Sequence, residues 1–330
     1  MTFLKLPPEL LLDILSYLGT EFFIQDIQRL AISKQWYASA MRVFLRDLQF
    51  TTRSLQRFTK DEAVLLGSQP YVATVKLYLA AFNDVLPCPQ TDDHSERELI
   101  YKWTDQLNSS LEKLAAALQR CPHMWSLSVV AREPLHSMGN SMVALLSVNL
   151  TSLDFDTASS DHSSYGPRED NVDLCRSINA LLPTLRRLRC RMDCICESLL
   201  QAPPQGTPLN LEEVIVNLSI SGLSDTTTGC RFPKRCPSPS SARHDSWKRA
   251  IESRATELAL LSKNARMFRV ISHVLPSLGL VAFDAMTGRR YQLEAGAEWD
   301  ADGERVNKAP RKTETDLFEG DSPVTPWIEL

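Results

Sequence analysis

The stretch Leu150-Thr-Ser-Leu-Asp-Phe155 places apolar residues at i, i+3 and i+5. Leu153 and Phe155 have the two-residue period of a strand and share one face, and Leu150 enters from the preceding turn. The template recurs as Val72/Val75/Leu77, Met124/Leu127/Val129, Leu185/Leu188/Cys190, Leu211/Val214/Val216 and Leu278/Val281/Phe283. Pro70, Pro122, Pro183 and Pro276 stand two residues before four of the copies and mark the turns. The copies start 52, 26, 35, 26 and 67 residues apart. Helical spacing fills the intervals at Arg97–Gln119, Ser137–Leu146, Asn171–Leu182, Cys194–Gln201 and Trp247–Ser262. A first strand at Leu48 and Phe50 and a helical segment over Ser54–Ser68 precede them. This order predicts an α/β (or α+β) architecture in which each helix returns the chain to a new parallel strand. Stacked copies then bury one core that no single copy could bury.

The pattern resembles leucine-rich repeats in an irregular form, over residues 46–295. No Asn stands at the ladder position of regular repeats, and a general α/β domain with a mostly parallel sheet is the alternative. Two stretches interrupt the repeats. Thr157–Asn171 is polar and reads as a loop, and residues 221–245 are rich in Pro and Ser and read as a flexible insertion. Residues 296–330 read as a polar, disordered tail unless Trp327-Ile328 docks. Ser238-Pro, Ser322-Pro and Thr325-Pro are potential phosphorylation sites.

At the other end, residues 6–18 read LPPELLLDILSYL. Glu9 and Asp13 break the apolar run, and Pro7-Pro8 stands where it would begin, so this is not the core of an export signal. Pro8 suits the first turn of a helix, and Glu9 complements its positive end. Leu11, Ile14, Leu15 and Leu18 recur at helical spacing, Leu10 and Tyr17 widen the stripe, and Gly19 stops it. A helix this apolar needs cover on more than one side. Asp26–Trp36 continues the apolar spacing through Ile27, Leu30 and Ala31 towards Val43 and Phe44. So few helices make a marginal core alone, which a partner would remedy.

Leu6, Pro7, Glu9, Leu10, Leu11, Ile14, Leu15 and Leu18, followed by Asp26, Ile27, Leu30, Ser33, Lys34 and Trp36, resemble the F-box in order and spacing. The likeness spans the segment 1–45. The linker Thr20–Gln25, with Phe22 and Phe23, and Ile32 in place of a more usual valine depart from it. The resemblance implies a three-helix fold that binds a Skp-family adaptor, and through it cullin and RING subunits of a ubiquitin ligase. It implies adaptor contacts at Leu6, Pro7, Pro8, Glu9, Leu10, Leu11, Ile14, Leu15, Leu18, Leu30 and Trp36. An ordinary buried helical hairpin is the alternative.

Composition bounds the rest. A 43% hydrophobic and 23% charged chain is globular, and a net charge of −4 argues against a nucleic-acid partner. No apolar run reaches the roughly 18 residues of a membrane span. The eight cysteines are scattered and most read as reduced thiols, which points to the cytoplasm or nucleus and makes the sequons at Asn108, Asn149 and Asn217 irrelevant. Neither G-x-x-x-x-G-K nor G-x-G-x-x-G occurs, and Gly139-Asn-Ser141 lacks the second glycine of a hydrolase elbow. Cys190, Cys194 and Cys196, and Cys230 and Cys236 with His244, lack paired zinc spacing. No catalytic residue, metal ligand or cofactor site is assigned.

Strand alternation sends a second set of side chains outward. These are Thr74, Lys76, Tyr78, Ser126, Ser128, Ser152, Asp154, Asp156, Arg187, Arg189, Arg191, Glu213, Ile215 and Asn217. Lys76, Tyr78, Asp154, Asp156, Arg187, Arg189, Arg191 and Glu213 form the candidate substrate face, with the arginines suited to an acidic or phosphorylated segment. Pairing of opposite charges between neighbouring strands is the alternative. The function expected is that of a non-enzymatic receptor that holds a protein substrate. A repeat scaffold whose N-terminal helices only cap the solenoid is the runner-up.

Overall fold

The computed structural model describes residues 6–80, 93–131, 138–146, 148–157, 173–192, 194–204, 207–219, 234–235, 244–274, 279–294 and 296–306. Helix α1 (Pro8–Gln25) carries Pro at its start and is interrupted at Gly19, whose φ of 74° only glycine adopts at low cost. The sequence places the end of the helix at Gly19; the backbone kinks there and then becomes helical again. Asp26 begins a 3-10 turn over Ile27–Ala31 by accepting a hydrogen bond from Gln28 N at 3.0 Å. Ser33 begins α2 (Lys34–Phe44) by accepting one from Trp36 N at 3.2 Å.

The remaining helices are α3 (Thr52–Phe58), α4 (Glu62–Ser68), α5 (Asp93–Leu118), α6 (Gly139–Leu146), α7 (Leu174–Asn179) and α8 (His244–Leu261), with a 3-10 turn at Glu197–Leu200. The strands are β1 (Asp47–Thr51), β2 (Thr74–Leu79), β3 (Ser126–Ala131), β4 (Ser152–Thr157), β5 (Arg187–Met192), β6 (Cys194–Ile195), β7 (Glu213–Asn217), β8 (Lys234–Arg235), β9 (Met267–Val274), β10 (Gly279–Asp284), β11 (Arg289–Leu293) and β12 (Glu304–Arg305). Ten of them form one open sheet in the order β1-β2-β3-β4-β5-β7-β9-β10-β11-β12. Every pairing from β1 to β9 is parallel, and the last three are antiparallel. The fold is mixed α/β, as the alternation predicts.

The template residues line up rung by rung. Leu48, Val75, Leu127, Leu153, Leu188, Val214 and Phe268 stand in one row across the parallel strands. Phe50, Leu77, Val129, Phe155, Cys190, Val216 and Val270 form the next. Both rows are buried against helix residues such as Leu55, Leu107, Leu111, Leu145, Ile178, Ile251 and Leu258. The turns between copies share one device. The carbonyls of Arg46, Ala73, Trp125, Thr151, Arg186 and Glu212 each accept two N–H groups from the chain entering the next strand, at 2.7–3.3 Å. This backbone staircase satisfies turn polar groups without the missing asparagines.

Two readings of the repeat are corrected. Leu278/Val281/Phe283 is not a parallel copy, because β10 runs antiparallel to β9. Only four residues separate Val274 from Gly279, too few for a crossover back to a parallel start. The last parallel copy is Ala265/Phe268/Val270, and the first is Leu45/Leu48/Phe50; Phe268 and Val270 are fully buried. The tail boundary also moves. Residues 296–306 are placed against the sheet and include β12, because Trp299, Asp300 and Asp302 find partners there. Residues 307–330, with Ser322, Thr325, Trp327 and Ile328, lie outside the described residues. So do the loop 158–172 and most of 221–243; within the latter, Lys234–Arg235 pairs with Cys194–Ile195.

The N-terminal helices join the sheet almost without a linker. Helix α2 ends at Phe44 and β1 begins at Asp47. Met41 and Phe44 pack against both the helical cluster and the main core. Thr20 Oγ1 donates to Val43 O at 3.2 Å and lies 3.5 Å from Asp47 Oδ2, while Thr74 Oγ1 donates to Asp47 Oδ1 at 2.6 Å. Packing and a partly buried polar chain thus tie the helices to the sheet.

Candidate functional site

Helix α1 is apolar on two sides. Its inner stripe, Leu11 and Leu15, joins Phe23, Leu30, Trp36, Ala40 and Val43 in a closed cluster. The Trp36 indole N–H donates to Arg29 O, and the Arg29 guanidinium stacks 4.3 Å from the Phe22 ring centroid and donates to Phe22 O at 2.8 Å. Phe22 and Phe23, the residues that set the linker apart from the F-box pattern, therefore complete this cluster. Of the expected adaptor contacts, Leu11, Leu15, Leu30 and Trp36 are buried within the chain itself.

The outer stripe differs. Leu10, Ile14, Tyr17 and Leu18 follow i, i+4, i+7, i+8 and stay exposed, Leu10 by 51% and Tyr17 by 93%. Pro7, Pro8 and Glu9 at the helix start are exposed as well, and Leu6 is half-buried. Ile24, Ile27, Ile32 and Tyr37 add further exposed apolar side chains from the same helical unit. Scattered exposed apolar residues are ordinary, and this concentration within about thirty residues makes the helical unit the candidate contact surface. Sequence reasoning did not single out Ile24, Ile32 and Tyr37 as exposed; the kink at Gly19 breaks the helical register between Tyr17 and Ile24, so the spacing within one helix does not place them.

The second candidate is the sheet face away from the helices. Asp47, Thr74, Ser126, Ser152, Arg187, Glu213 and Met267 form one row, and Gln49, Lys76, Ser128, Asp154, Arg189, Ile215 and Arg269 the next. Tyr78, Val130, Asp156 and Arg191 follow in a third. Lys76 and Tyr78 are exposed, whereas the charged residues of β4, β5 and β7 engage one another. Arg191 grips Asp156 through two hydrogen bonds of 2.8 and 2.6 Å. Glu213 accepts from Arg189 at 2.5 Å and from Arg187 at 3.1 Å. Cross-strand charge pairing, the alternative reading of these residues, is thus what the strands do. Burial pushes the Asp154 carboxyl up; Arg189 and Arg187 oppose this, and Asp156 and Glu213 add to it.

Residues 296–303 then cross this face. The Arg189 guanidinium also binds the Asp300 carboxylate, and Arg191 lies 5.1 Å from the Trp299 ring centroid. Arg269 donates to Ala301 O at 2.8 Å and pairs with Asp302 at 3.7 Å. Burial opposes ionisation of Asp300, but the hydrogen bond and charge of Arg189 outweigh it and hold that carboxyl below its ordinary range. Beneath the crossing segment Ile215, Ile271, Ala282 and Leu293 form a small apolar cluster, flanked by Ala297 and Trp299. Ile215 and Asn217 point outward as expected, yet both are buried.

Among the described residues, Asp173, Cys175 and Cys196 bring potential metal-ligand atoms within 4.8 Å of one another. Asp173 already accepts the α7 cap bond from Arg176 N at 3.0 Å, and Cys196 Sγ lies 2.8 Å from Ser198 Oγ. Cys190, another of the cysteines considered as ligands, is fully buried in β5, and burial, with Asp156 and Asp154, raises its thiol pKa; Cys230 and Cys236 lie outside the described residues. No helix among the described residues is long and apolar enough to cross a membrane. No family model matches the chain, and no curated protein matches it.

Proposed function

We propose that the chain is the substrate-recognition subunit of a Skp–cullin–F-box ubiquitin ligase. In this reading residues 1–45 are an F-box that binds a Skp-family adaptor, and residues 46–295 are an irregular leucine-rich-repeat domain that holds a protein substrate. The observation that carries it is the two-sided α1: Leu11 and Leu15 close the chain's own cluster while Leu10, Ile14, Tyr17 and Leu18 stay exposed. An apolar helix face of this kind suits a groove on a partner. The stacked parallel strands, with the carbonyl staircase at their turns, support the repeat assignment.

The chain performs no chemistry of its own here. It raises the local concentration of substrate lysines near the charged conjugating enzyme. The direct α2–β1 junction and the Thr20–Asp47–Thr74 chain hold the substrate face at a set angle to the adaptor. Proximity works only if that geometry is maintained. The proposed setting is the cytoplasm or nucleus, where thiols stay reduced.

The same junction favours a second reading, in which the helices merely cap the β1 edge of a scaffold. The two readings separate on one test. Full-length chain mixed with a Skp-family adaptor co-elutes as a 1:1 complex if the first holds. Absence of that complex, with the chain folded, leaves the scaffold.

A further inference from the structure

We propose that Arg187, Arg189, Arg191 and Arg269 form a docking site for an aromatic–acidic peptide, and that residues 297–302 of this chain are its resident, displaceable occupant. The proposal deepens the substrate-receptor reading by naming the class of segment the face takes. It rests on that reading only for the statement that the incoming peptide belongs to a substrate.

The site is built from three adjacent strands. Arg187, Arg189 and Arg191 come from β5 and Arg269 from β9, with Glu213 of β7 between them. Four guanidiniums face three sheet carboxylates: Asp154, Asp156 and Glu213. Glu213 alone is shared by two arginines, so Arg189 keeps donors for a further carboxylate and uses them on Asp300. Arg269 makes no contact with those carboxylates and spends its donors on Ala301 O and Asp302. The Arg191 guanidinium, held flat by its two bonds to Asp156, presents its charge to the Trp299 ring. The apolar cluster of Ile215 and Ile271 lies alongside and takes the rest of the indole. The ligand class follows from these parts: an aromatic residue, a carboxylate directly after it, and a second carboxylate two residues further on.

The occupant is fastened lightly at the charged end. The Asp300 side chain is 42% exposed and the Asp302 side chain fully exposed. Glycines bracket the segment. Gly296 has φ +80°, which other residues adopt poorly, and a Cβ on Gly303 would collide with Gln292 O, so both ends of the segment favour glycine, one for its conformation and the other for space. The segment spans the interval between β11 and the two-residue β12, and β12 holds the outer edge by only two residue pairs. A peptide that supplies its own aromatic ring replaces Trp299 over Ile215 and leaves no apolar surface uncovered.

The test uses the full-length chain without adaptor. The probe is a fluorescein-labelled peptide with the sequence of residues 297–302, Ala-Glu-Trp-Asp-Ala-Asp. Asp300→Ala/Asp302→Ala loosens the tethered competitor, whose effective concentration is in the millimolar range, so the variant should bind the peptide at least about tenfold more tightly than wild type. Peptides with Trp replaced by Ala, or both Asp by Asn, should lose that binding. Equal binding by variant and wild type, or by parent and control peptides, overturns the proposal. If circular dichroism shows the variant unfolded, amide exchange of residues 296–303 in wild type decides: excess peptide accelerates it if the segment is displaceable, and no change overturns the proposal. Because no adaptor is present, failure here leaves the ligase assignment standing, and failure of adaptor binding leaves this site standing.

Discussion

Leu15→Ala and the pair Leu10→Ala/Ile14→Ala remove similar side chains from one helix and should have opposite consequences. Leu15 is 0% exposed and sits among Leu11, Phe23, Trp36 and Val43. Truncation there loses the transfer free energy of three carbons and leaves a cavity, about 2–5 kcal/mol. Leu10 and Ile14 are 51% and 37% exposed, so a large part of the surface they lose is already in water, whereas none of Leu15 is. Full burial of such a side chain is worth about 1.5–3 kcal/mol, and alanine's better helix propensity returns a few tenths, leaving about 1–3 kcal/mol for the pair, or about 0.5–1.5 kcal/mol per side chain. Urea unfolding followed by far-ultraviolet circular dichroism measures both, with amide exchange over residues 8–44 as the local readout. Because Met41 and Phe44 tie the cluster to the main core, the Leu15→Ala loss should reach the global transition. A loss per side chain in the pair equal to that of Leu15→Ala would refute the reasoning, since the outer stripe would then be packed within the chain.

Further expectations concern the charged face and the thiols. Arg191→Ala strips Asp156 of two hydrogen bonds beside Asp154, and should cost about 1.5–3 kcal/mol in denaturant unfolding, against little change for the exposed Lys76→Ala. Asp154 is held above its ordinary range, so its charge opposes folding at neutral pH and the penalty fades as the pH falls. Asp154→Asn should therefore raise the melting temperature at pH 7, with a gain that shrinks towards pH 4; a constant gain would contradict the burial argument. Asp300 has the opposite sign. Its contribution is complete above the unfolded pKa of about 3.9 and is lost as the pH falls through the lower folded value, so the Trp299 indole signal should shift in that acid window in wild type and not in Asp300→Asn. Burial pushes the Cys121 thiol up to about 11 and that of Cys190 higher still, so neither should be alkylated by iodoacetamide at pH 8 in the folded chain, as peptide mass mapping would reveal.

Much of the architecture was legible because one rule governs it. Apolar residues at i, i+3 and i+5 identify five of the seven parallel strands by their core positions, and those positions are buried from Val72 to Val216. The rule says nothing of strand direction, so Val281 and Phe283 passed for a parallel copy. The short gap before Gly279 was the better guide, since a parallel return needs a dozen residues or more. Ala265 hid the last copy because a small residue, followed by Arg266 and Met267, does not read as the start of a strand. The steps of 26 residues recur, and the long steps are those that hold α5 and α8.

The face was legible as chemistry and not as occupancy. Alternation placed Arg187, Arg189 and Arg191 beside Asp154 and Asp156, as the register bears out. Composition alone made residues 296–306 look like solvated tail, because Glu298, Asp300 and Asp302 dominate them. Their partners lie over a hundred residues away for Arg189, and no local pattern encodes that contact. On α1 the sequence shows an excess of apolar positions but does not divide them; Leu11 and Leu15 are taken inward by Phe23 and Trp36, which only the packed helices reveal.

The most direct test of the ligase reading is isothermal titration of a Skp-family adaptor into the full-length chain at several temperatures, for wild type and for Leu10→Ala/Ile14→Ala. The account predicts 1:1 binding with a negative heat-capacity change, as apolar burial requires, and roughly a thirtyfold loss of affinity or more per anchor removed. A folded wild-type chain that releases no heat and forms no complex, or a variant that binds as tightly as wild type, would contradict it.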